Sequence, residues 1–393
     1  MRSAQADIVV AGHICLDIIP TIGERGEDAG DLVVPGVLVE IGPAVLSTGG
    51  PVSNTGQALH RLGVRTRLMG KIGDDLFGEA ILGVLRRLDP ALAEGMLVAP
   101  GVASSYTLVI SPPGIDRSFL HCAGANAVFG AADIPYDELV GARVFHFGYP
   151  PLMRRMYADG GAELAGVFRQ VKERGPVTSL DMCHIDPSGE AGQVDWRSIL
   201  QRVLPDVDIF LPSLGETLYA LRATDRDPGS EITGPELSAV ADELLAMDAG
   251  VVGLKLGDRG LYIRTPDSPE RLAGLRELVG EAFDTWVGRE LYTPCFVADV
   301  VGTTGCGDCT IGGFLTGLLH RMSLDQAVTA AVGVGACNVE QPDSTSGVPS
   351  WQAVQARIDG GWAKRAADLW PGWTWDASGS LARGPRDRLG GKV

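Results

Sequence analysis

The sequence predicts an α/β protein with a mostly parallel central sheet, helices on both of its faces and a small separate β unit. Three observations carry that expectation. From about residue 134 onward, short apolar strand-like runs alternate with stretches of helical spacing, the pattern of parallel strands joined by crossover helices. The stretch 301–308, reading V-G-T-T-G-C-G-D, joins an apolar run at 296–301 to a segment with Ile311, Phe314, Leu315, Leu318, Leu319 and Met322 on one helical face. Two strand-like runs at 106–110 and 118–122 flank Pro112-Pro113-Gly114, a hairpin signal outside the alternating series.

Taken in order, residues 8–12 read as a buried strand with Asp17 just beyond its end. Ligands of open α/β sheets collect past the carboxyl ends of strands, so Asp17 is a candidate substrate contact; a turn-forming Asp is the alternative. Residues 23–48 are rich in Gly, Pro and acids, with a strand-like piece at 37–41. Gly49-Gly50-Pro51 opens a helix to about Leu62, with Asn54 in its first turn and Gly63 as its stop. A strand at 67–72 comes next, and Gly73-Asp74-Asp75 after it starts an amphipathic helix from Leu76. The hairpin joins residues 33–41 in the small sheet, and Gly124-Ala125-Asn126 closes it. Strands at 144–147, 177–180, 207–211 and 251–256 alternate with helices at 161–174, from Ser213-Leu214-Gly215-Glu216 onward, and at 237–247. The right-handed crossover rule places their ends on one rim. Residues 266–290 read as a surface insertion, Ser323 with Gln326 as a capping box, and 376–393 as a disordered Gly/Arg-rich tail. Trp362, Trp370, Trp373 and Trp375 are expected to pack a C-terminal extension, residues 351–393, onto the core.

Composition bounds the function. A chain of 393 residues, 45% apolar, supports a sizeable core in one large α/β domain with extras, or in two domains. A net charge of -16 argues against nucleic acid or an anionic membrane as main partner, though not against a small anion held locally. No apolar run approaches bilayer-spanning length, and the N-terminus runs straight into a strand with no signal-peptide pattern. Seven scattered cysteines suit reduced thiols, so the expected location is the cytoplasm.

The turn at 301–308 is where chemistry is expected. The first amides of a helix lack internal partners and carry about half a positive charge, and glycines let a bulky anion approach them. Asp308 at this mouth is either the helix's own N-terminal cap or a general base beside an oxyanion pocket. Gly302 and Gly307 have P-loop spacing, but Asp308 stands where that motif needs Lys. Cys306 and Cys309 form a C-x-x-C pair without a second such pair for zinc. They are read as small side chains beside a tight loop, with a thiol–disulfide role as the alternative.

With these signals in one order, the sequence resembles the ribokinase-like, phosphofructokinase-B-type carbohydrate kinases over about residues 7–350. The stretch G-T-T-G-C-G-D resembles their D-T-x-G-A-G-D signature, and Gly49-Gly50 with Asn54 and Leu62-Gly63 their first signature. Gly73-Asp74-Asp75 with Gly78, then Gly124-Ala125-Asn126, Glu216, and Leu256-Gly257 with Gly260 match in sequence. The resemblance implies a ribokinase-like fold and an ATP-dependent sugar kinase, with Asp308 as catalytic base and the amides of Gly305, Cys306 and Gly307 as anion hole. It implies sugar contacts at Asp17, Gly49, Gly50, Asn54 and Asn126. It implies nucleotide-side positions at Ser213, Lys255, Gly257, Gly260 and Asn338, the last in the adenine pocket, and a Mg²⁺-linked Glu216. Residues 33–41 and 106–122 resemble the family's lid, which often doubles as a dimer clasp, so a homodimer through the lid is one expected assembly.

Three positions depart from the family pattern. Gly302 replaces the signature's first Asp, which helps bind a monovalent cation, so strong potassium activation is not expected. Ser213 replaces the Asn of N-x-x-E, and Thr310 stands where Phe is usual. Two other readings stay open beside the sugar kinase: a nucleoside kinase of the same fold, and a non-catalytic sugar or nucleotide sensor. The sugar, the hydroxyl and the assembly are not legible from the residues.

Overall fold

In the computed structural model, which describes residues 6–23, 35–112, 117–223 and 230–389, a ten-stranded sheet forms the centre of the molecule. Six adjacent strands are parallel: Thr66–Met69, Ile8–Gly12, Val144–Gly148, Val177–Asp181, Ile209–Phe210 and Val251–Lys255. Every residue of Ile8–Gly12, Val144–Gly148 and Val177–Asp181 is buried, as expected of strands covered on both faces. The strand period of two splits them between the layers. Val9, Ala11, Phe145 and Phe147 pack under the segment Arg154–Lys172, which is helical on either side of a kink at residues 158–161. Ile8, Val10 and Val144 face the layer of helices Pro51–Arg61, Cys306–Leu319 and Leu324–Asn338. Beyond Val251–Lys255 the sheet continues antiparallel through Leu261–Arg264, Glu290–Thr293, Ala382–Arg383 and Thr374–Trp375.

A second sheet of four strands, Ala44–Gly49, Cys15–Pro20, Tyr106–Ile110 and Ser118–Cys122, stands apart from the first. The chain enters it at Gly12, whose φ of 122° and close approach to the Gly148 carbonyl oxygen, 2.5 Å from where a Cβ would lie, exclude a side chain. The expected hairpin at 106–122 is present, and its connection at 113–116 lies outside the described residues. The expected strand at 37–41 is not present: Val37 and Leu38 are 58% and 91% exposed, and the neighbour of Cys15–Pro20 is Ala44–Gly49. Residues 33–34 of that expectation lie outside the described residues. Asp17 therefore sits inside a lid strand and not past the end of the first one. Val45, Leu46, Phe119 and Leu120 are exposed apolar residues of this sheet, distributed over both of its faces by the strand period.

Two further expectations are corrected. Residues 266–290 are no surface insertion: Leu272, Leu275, Phe283 and Trp286 are buried, and Trp286 meets Phe314 edge-on at 5.7 Å between ring centres. Their spacing follows 3₁₀ turns and one short helix, Arg276–Val279, which neither period reveals. The tail is also ordered through residue 389, with only 390–393 outside the described residues. Its anchor is an ion pair of two fully buried side chains, Arg289 Nε to Asp387 Oδ2 at 3.0 Å, while Arg289 also holds Asp325 at 2.7 Å. Three of the four tryptophans pack as expected: Trp362 stacks on Phe296 at 4.4 Å, and Trp370 and Trp373 enclose Tyr292, while Trp375 is exposed.

Removing one partner of a buried pair leaves an uncompensated charge, at a cost of ~3–5 kcal/mol. Asp387→Ala is therefore expected to lose about 3 kcal/mol, the low end because Asp325 remains. Urea unfolding reads this directly; a change under about 0.5 kcal/mol, the range of ordinary surface substitutions, would show that the tail is not docked as described.

Candidate active site

The parallel strands deliver their carboxyl ends to one rim, and the polar residues with unusual surroundings gather there. Tyr149 follows Val144–Gly148, Asp181 closes Val177–Asp181, Lys255 closes Val251–Lys255, and Ser213 and Glu216 open helix Leu214–Arg222 after Ile209–Phe210. Helices Pro51–Arg61 and Cys306–Leu319 approach the same rim closely, with Gly312 leaving 3.1 Å between a Cβ at its position and Ala58.

Asp308 lies in the first turn of helix Cys306–Leu319 and is 3% exposed. Its carboxylate accepts from Asn54 Nδ2 at 3.0 Å, Thr55 Oγ1 at 3.3 Å and the Tyr149 hydroxyl at 3.1 Å. Burial raises its pKa above the usual range, against the pull of the Lys255 charge and these three donors. A raised value brings a carboxylate closer to what a general base needs near neutrality. Tyr149 remains protonated, since burial first and the Asp308 charge second push its phenol well above the ordinary value. Its backbone occupies the left-handed region at φ 63°, a conformation that costs a non-glycine residue ~1–3 kcal/mol. That turn aims the ring back across the site toward Asp308.

Beside Asp308 lies a second charge pair. Lys255 Nζ contacts Asp181 Oδ1 at 2.7 Å, with side chains 14% and 1% exposed. Burial works against the Lys255 charge, but Asp181 and Glu216 outweigh it and hold the ammonium above its usual range. A Cβ at Gly307 would lie 3.7 Å from Lys255 Nζ, so the cation flanks the opening of helix Cys306–Leu319. Ser213 is not a lost ligand in its local role. Its hydroxyl accepts from the Glu216 amide at 3.2 Å and Glu216 Oε2 accepts from the Ser213 amide at 2.7 Å, a complete capping box. Asp181 Oδ2 is buried without a partner among the described residues.

The glycine loop is shaped for its place. Gly305 caps the helix at φ 70°, where a Cβ would lie 2.5 Å from the Ser344 carbonyl oxygen. Gly302 faces Gln341 and Pro342 at 2.9 Å, so the signature's missing carboxylate has no room there. Arg117, at the start of a lid strand, donates to Thr303 Oγ1 at 2.6 Å and to Thr304 Oγ1, tying the lid to the loop. Asn338 is fully buried and donates to the Thr304 carbonyl at 3.0 Å, bracing the loop from behind, while its Oδ1 is buried without a partner among the described residues.

On the lid side, Asp17 has a pKa raised to about 6 by burial, opposed by hydrogen bonds from Cys15 and Thr107. Gly49 leaves it room, a Cβ there falling 2.4 Å from Asp17 Oδ2. Gly50, at φ 84°, caps helix Pro51–Arg61 and packs on the His13 ring. Asn54 keeps its Oδ1 buried and unpartnered among the described residues, an acceptor facing the site. Asn126, expected beside the sugar, is fully buried and exchanges two bonds with the backbone of Ile14, Nδ2 to O at 2.9 Å and N to Oδ1 at 3.2 Å. Gly257 and Gly260 shape the turn after Lys255; Gly257 has φ 62° and no atom within 4 Å of a Cβ, while Gly260 has φ 114° and sits under Thr293. Cys309 is buried and donates to the Ser344 carbonyl at 3.3 Å. Burial pushes both the Cys306 and Cys309 thiols up, away from the thiolate that redox chemistry needs.

The sequence reading brought Asp308, Asn54, Gly305, Gly307, Glu216 and Lys255 to one place. It missed Thr55, Tyr149, Asp181 as a site member and Arg117. The strand-end rule would have found Tyr149 and Asp181; Arg117 had no local signal. A separate surface depression of about 1140 Å³ is lined by Arg65, Arg67, Asp89 and Glu138. Its two arginines are paired, Arg67 with Glu138 and Arg65 with Asp7, and it holds none of the residues above.

Comparison with known proteins identifies the family and the fold. A family model described as pfkB family carbohydrate kinase matches residues 5–351. The 2-dehydro-3-deoxygluconokinase of Bacillus subtilis (strain 168) is 25% identical over 328 residues, 80% of this chain and 87% of its own. A probable fructokinase-4 of Arabidopsis thaliana is 28% identical over 366 residues, 90% and 97% of the two chains. Among solved structures, the ribokinase of Arabidopsis thaliana complexed with ribose and ATP superposes with TM-score 0.66 at 17% identity, covering 90% of this chain and 98% of that one. The fructokinase of Xylella fastidiosa with bound ATP gives 0.67 at 17% identity, covering 90% and 99%. At these identities the two structures establish the ribokinase fold.

Tyr149 stabilises the charged form of Asp308, so losing its hydroxyl raises the Asp308 pKa further. The base works only when deprotonated. In Tyr149→Phe the acid limb of kcat at saturating substrate is therefore expected at higher pH than in the parent protein. A pH–rate profile reads the limb; an unmoved limb would separate Tyr149 from the titration of the base.

Proposed function

The chain belongs to the pfkB family of carbohydrate kinases and is a phosphotransferase with an alcohol group as acceptor, and from that premise we propose that it transfers the γ-phosphate of ATP to one hydroxyl of a small carbohydrate with Asp308 as general base. The observation that carries this reading is the buried Asp308 carboxylate, held by three neutral donors at a helix N-terminus and flanked by the Lys255 ammonium. Three donors fix its orientation, and none of them takes its charge away.

The chemistry follows from that arrangement. A sugar hydroxyl hydrogen-bonded to Asp308 gives up its proton to the carboxylate as its oxygen attacks the γ-phosphorus. The new P–O bond forms as the bond from γ-phosphorus to the β,γ-bridging oxygen breaks, and ADP leaves with that oxygen. The amides of Gly305, Cys306 and Gly307 at the helix start, the Cys306 amide here in a long 3.4 Å contact with the Thr303 carbonyl, would face the negative charge on the transferring group with Lys255 beside them. Arg117 ties the lid over the same loop, which keeps water from competing with the sugar hydroxyl. Asp17 and the free Oδ1 of Asn54 supply acceptors for other sugar hydroxyls.

Mg²⁺ fits the remaining groups. The unpartnered Asp181 Oδ2 and the nearby Glu216 charge offer hard oxygen donors at the rim where nucleotide phosphates arrive. When bound with the nucleotide, the ion neutralises phosphate charge.

The relatives that are fructokinases and a 2-dehydro-3-deoxygluconokinase support a six-carbon keto sugar or keto sugar acid as substrate. The test is ADP release from Mg-ATP across fructose, 2-dehydro-3-deoxygluconate, ribose, aldohexoses and nucleosides. Turnover is expected to be highest on a six-carbon keto compound. Turnover on nucleosides alone would move the assignment to a nucleoside kinase, and sugar binding without any ADP release would make the protein a sensor.

A further inference from the structure

His13, Cys15 and His121 bring an imidazole, a thiol and a second imidazole together, with one ligand atom from each within 4.8 Å of the others. None of the three is assigned to the transferring group above, although Cys15 hydrogen-bonds Asp17 and His13 packs against Gly50. His13 and Cys15 are 2% and 3% exposed, while His121 lies at the open side. They come from two bodies of the fold. His13 follows the central strand Ile8–Gly12, Cys15 begins the lid strand Cys15–Pro20, and His121 belongs to the lid strand Ser118–Cys122. We propose that these three side chains form a binding site for a zinc-class divalent transition metal that ties the lid sheet to the central sheet.

The geometry of the two imidazoles is the first argument. His13 Nε2 and His121 Nε2 face each other at 3.3 Å. Zinc–nitrogen bonds of about 2.0–2.1 Å at a tetrahedral angle put two ligand nitrogens about 3.3–3.4 Å apart. The nitrogens are thus already spaced as the edge of such a site. The second argument is orientation. His121 Nδ1 bonds Thr107 Oγ1 at 3.0 Å, so its other nitrogen is the one turned to His13, the kind of outer contact that aims metal-ligating histidines. The third is donor chemistry. Two imidazoles and a thiol select zinc or a similar borderline cation over Mg²⁺, which prefers oxygen. Cys15 Sγ now rests 3.3 Å from Asp17 Oδ1 and 3.5 Å from Thr107 Oγ1; a metal would take it as thiolate and release its proton. Three protein ligands leave a fourth position for water on the exposed His121 side, the coordination of an open zinc site.

The rival arrangement is a plain imidazole–imidazole hydrogen bond, which takes up no metal. The full-length protein, stripped with a chelator, is titrated with Zn²⁺ alone by calorimetry, and with Co²⁺ as a spectroscopic probe, without sugar or ATP. One equivalent is expected to bind, with a thiolate-to-Co²⁺ charge-transfer band. That band should vanish in Cys15→Ser, and affinity should fall at least about tenfold in His121→Ala, both variants being checked for parental unfolding midpoints. Absence of stoichiometric uptake, or uptake and band unchanged in both variants, would overturn the site. Because the readout needs no turnover, its failure is distinct from a failure of the kinase assignment.

Discussion

A carboxylate taken out of water loses several kcal/mol unless something replaces its hydration, and the burial of Asp308 at the head of a helix sets that demand on everything around it. The helix amides meet part of it. Asn54 and Thr55 meet more, which requires helix Pro51–Arg61 to lie against helix Cys306–Leu319, and glycines at 56 and 312 are what let these helices close up against Leu68 and Ala58. Tyr149 completes the shell from a strained position at a strand end. Burial outweighs the pull of these donors and of Lys255 and leaves Asp308 with a raised pKa, so the shell fixes the carboxylate without removing the basicity that the proposed role needs.

Charge around the site is arranged by reach. Lys255 is fixed on the sheet by Asp181 and stands at the side of the glycine loop. Arg117 belongs to the lid and touches the loop from above. One cation is therefore carried by the central sheet and the other by the four-stranded sheet. That division suits phosphoryl transfer, where positioning and charge neutralisation dominate and an open site would waste ATP on water. The lid sheet is joined to the central sheet through Gly12 and its neighbours His13, Ile14 and Cys15, with Asn126 clamping Ile14 on both backbone groups.

The central sheet and its helices were readable from sequence because apolar period and turn residues agree there: the glycine loop at 301–308, the cap at Gly50 and the capping box at Ser323 all signal locally. Legibility failed where a side chain's partner is remote or its backbone irregular. Tyr149 depends on a left-handed φ that its own residue type does not announce. Arg117 acquires meaning only through Thr303 and Thr304, far along the chain. Asn126 and Asn338, expected from their place near glycine turns, both donate their amide nitrogens to backbone carbonyls, contacts that no local sequence signal announces. The run at 37–41 has strand-like composition, yet register against Cys15–Pro20 is taken by Ala44–Gly49, which runs straight into the Gly49-Gly50 turn. The segment 266–290 and the tail hide their burial in 3₁₀ turns and in one long-range ion pair, Arg289 with Asp387.

The most direct measurement is single-turnover phosphate transfer by Asp308→Asn set beside its sugar binding by calorimetry. Asparagine keeps the shape, so sugar affinity should stay near that of the parent protein while transfer falls by about 10²–10⁴, the worth of a positioned base. Transfer at the parental rate with sugar bound would contradict the account, because the proton of the sugar hydroxyl would then be leaving by a route that does not pass through Asp308.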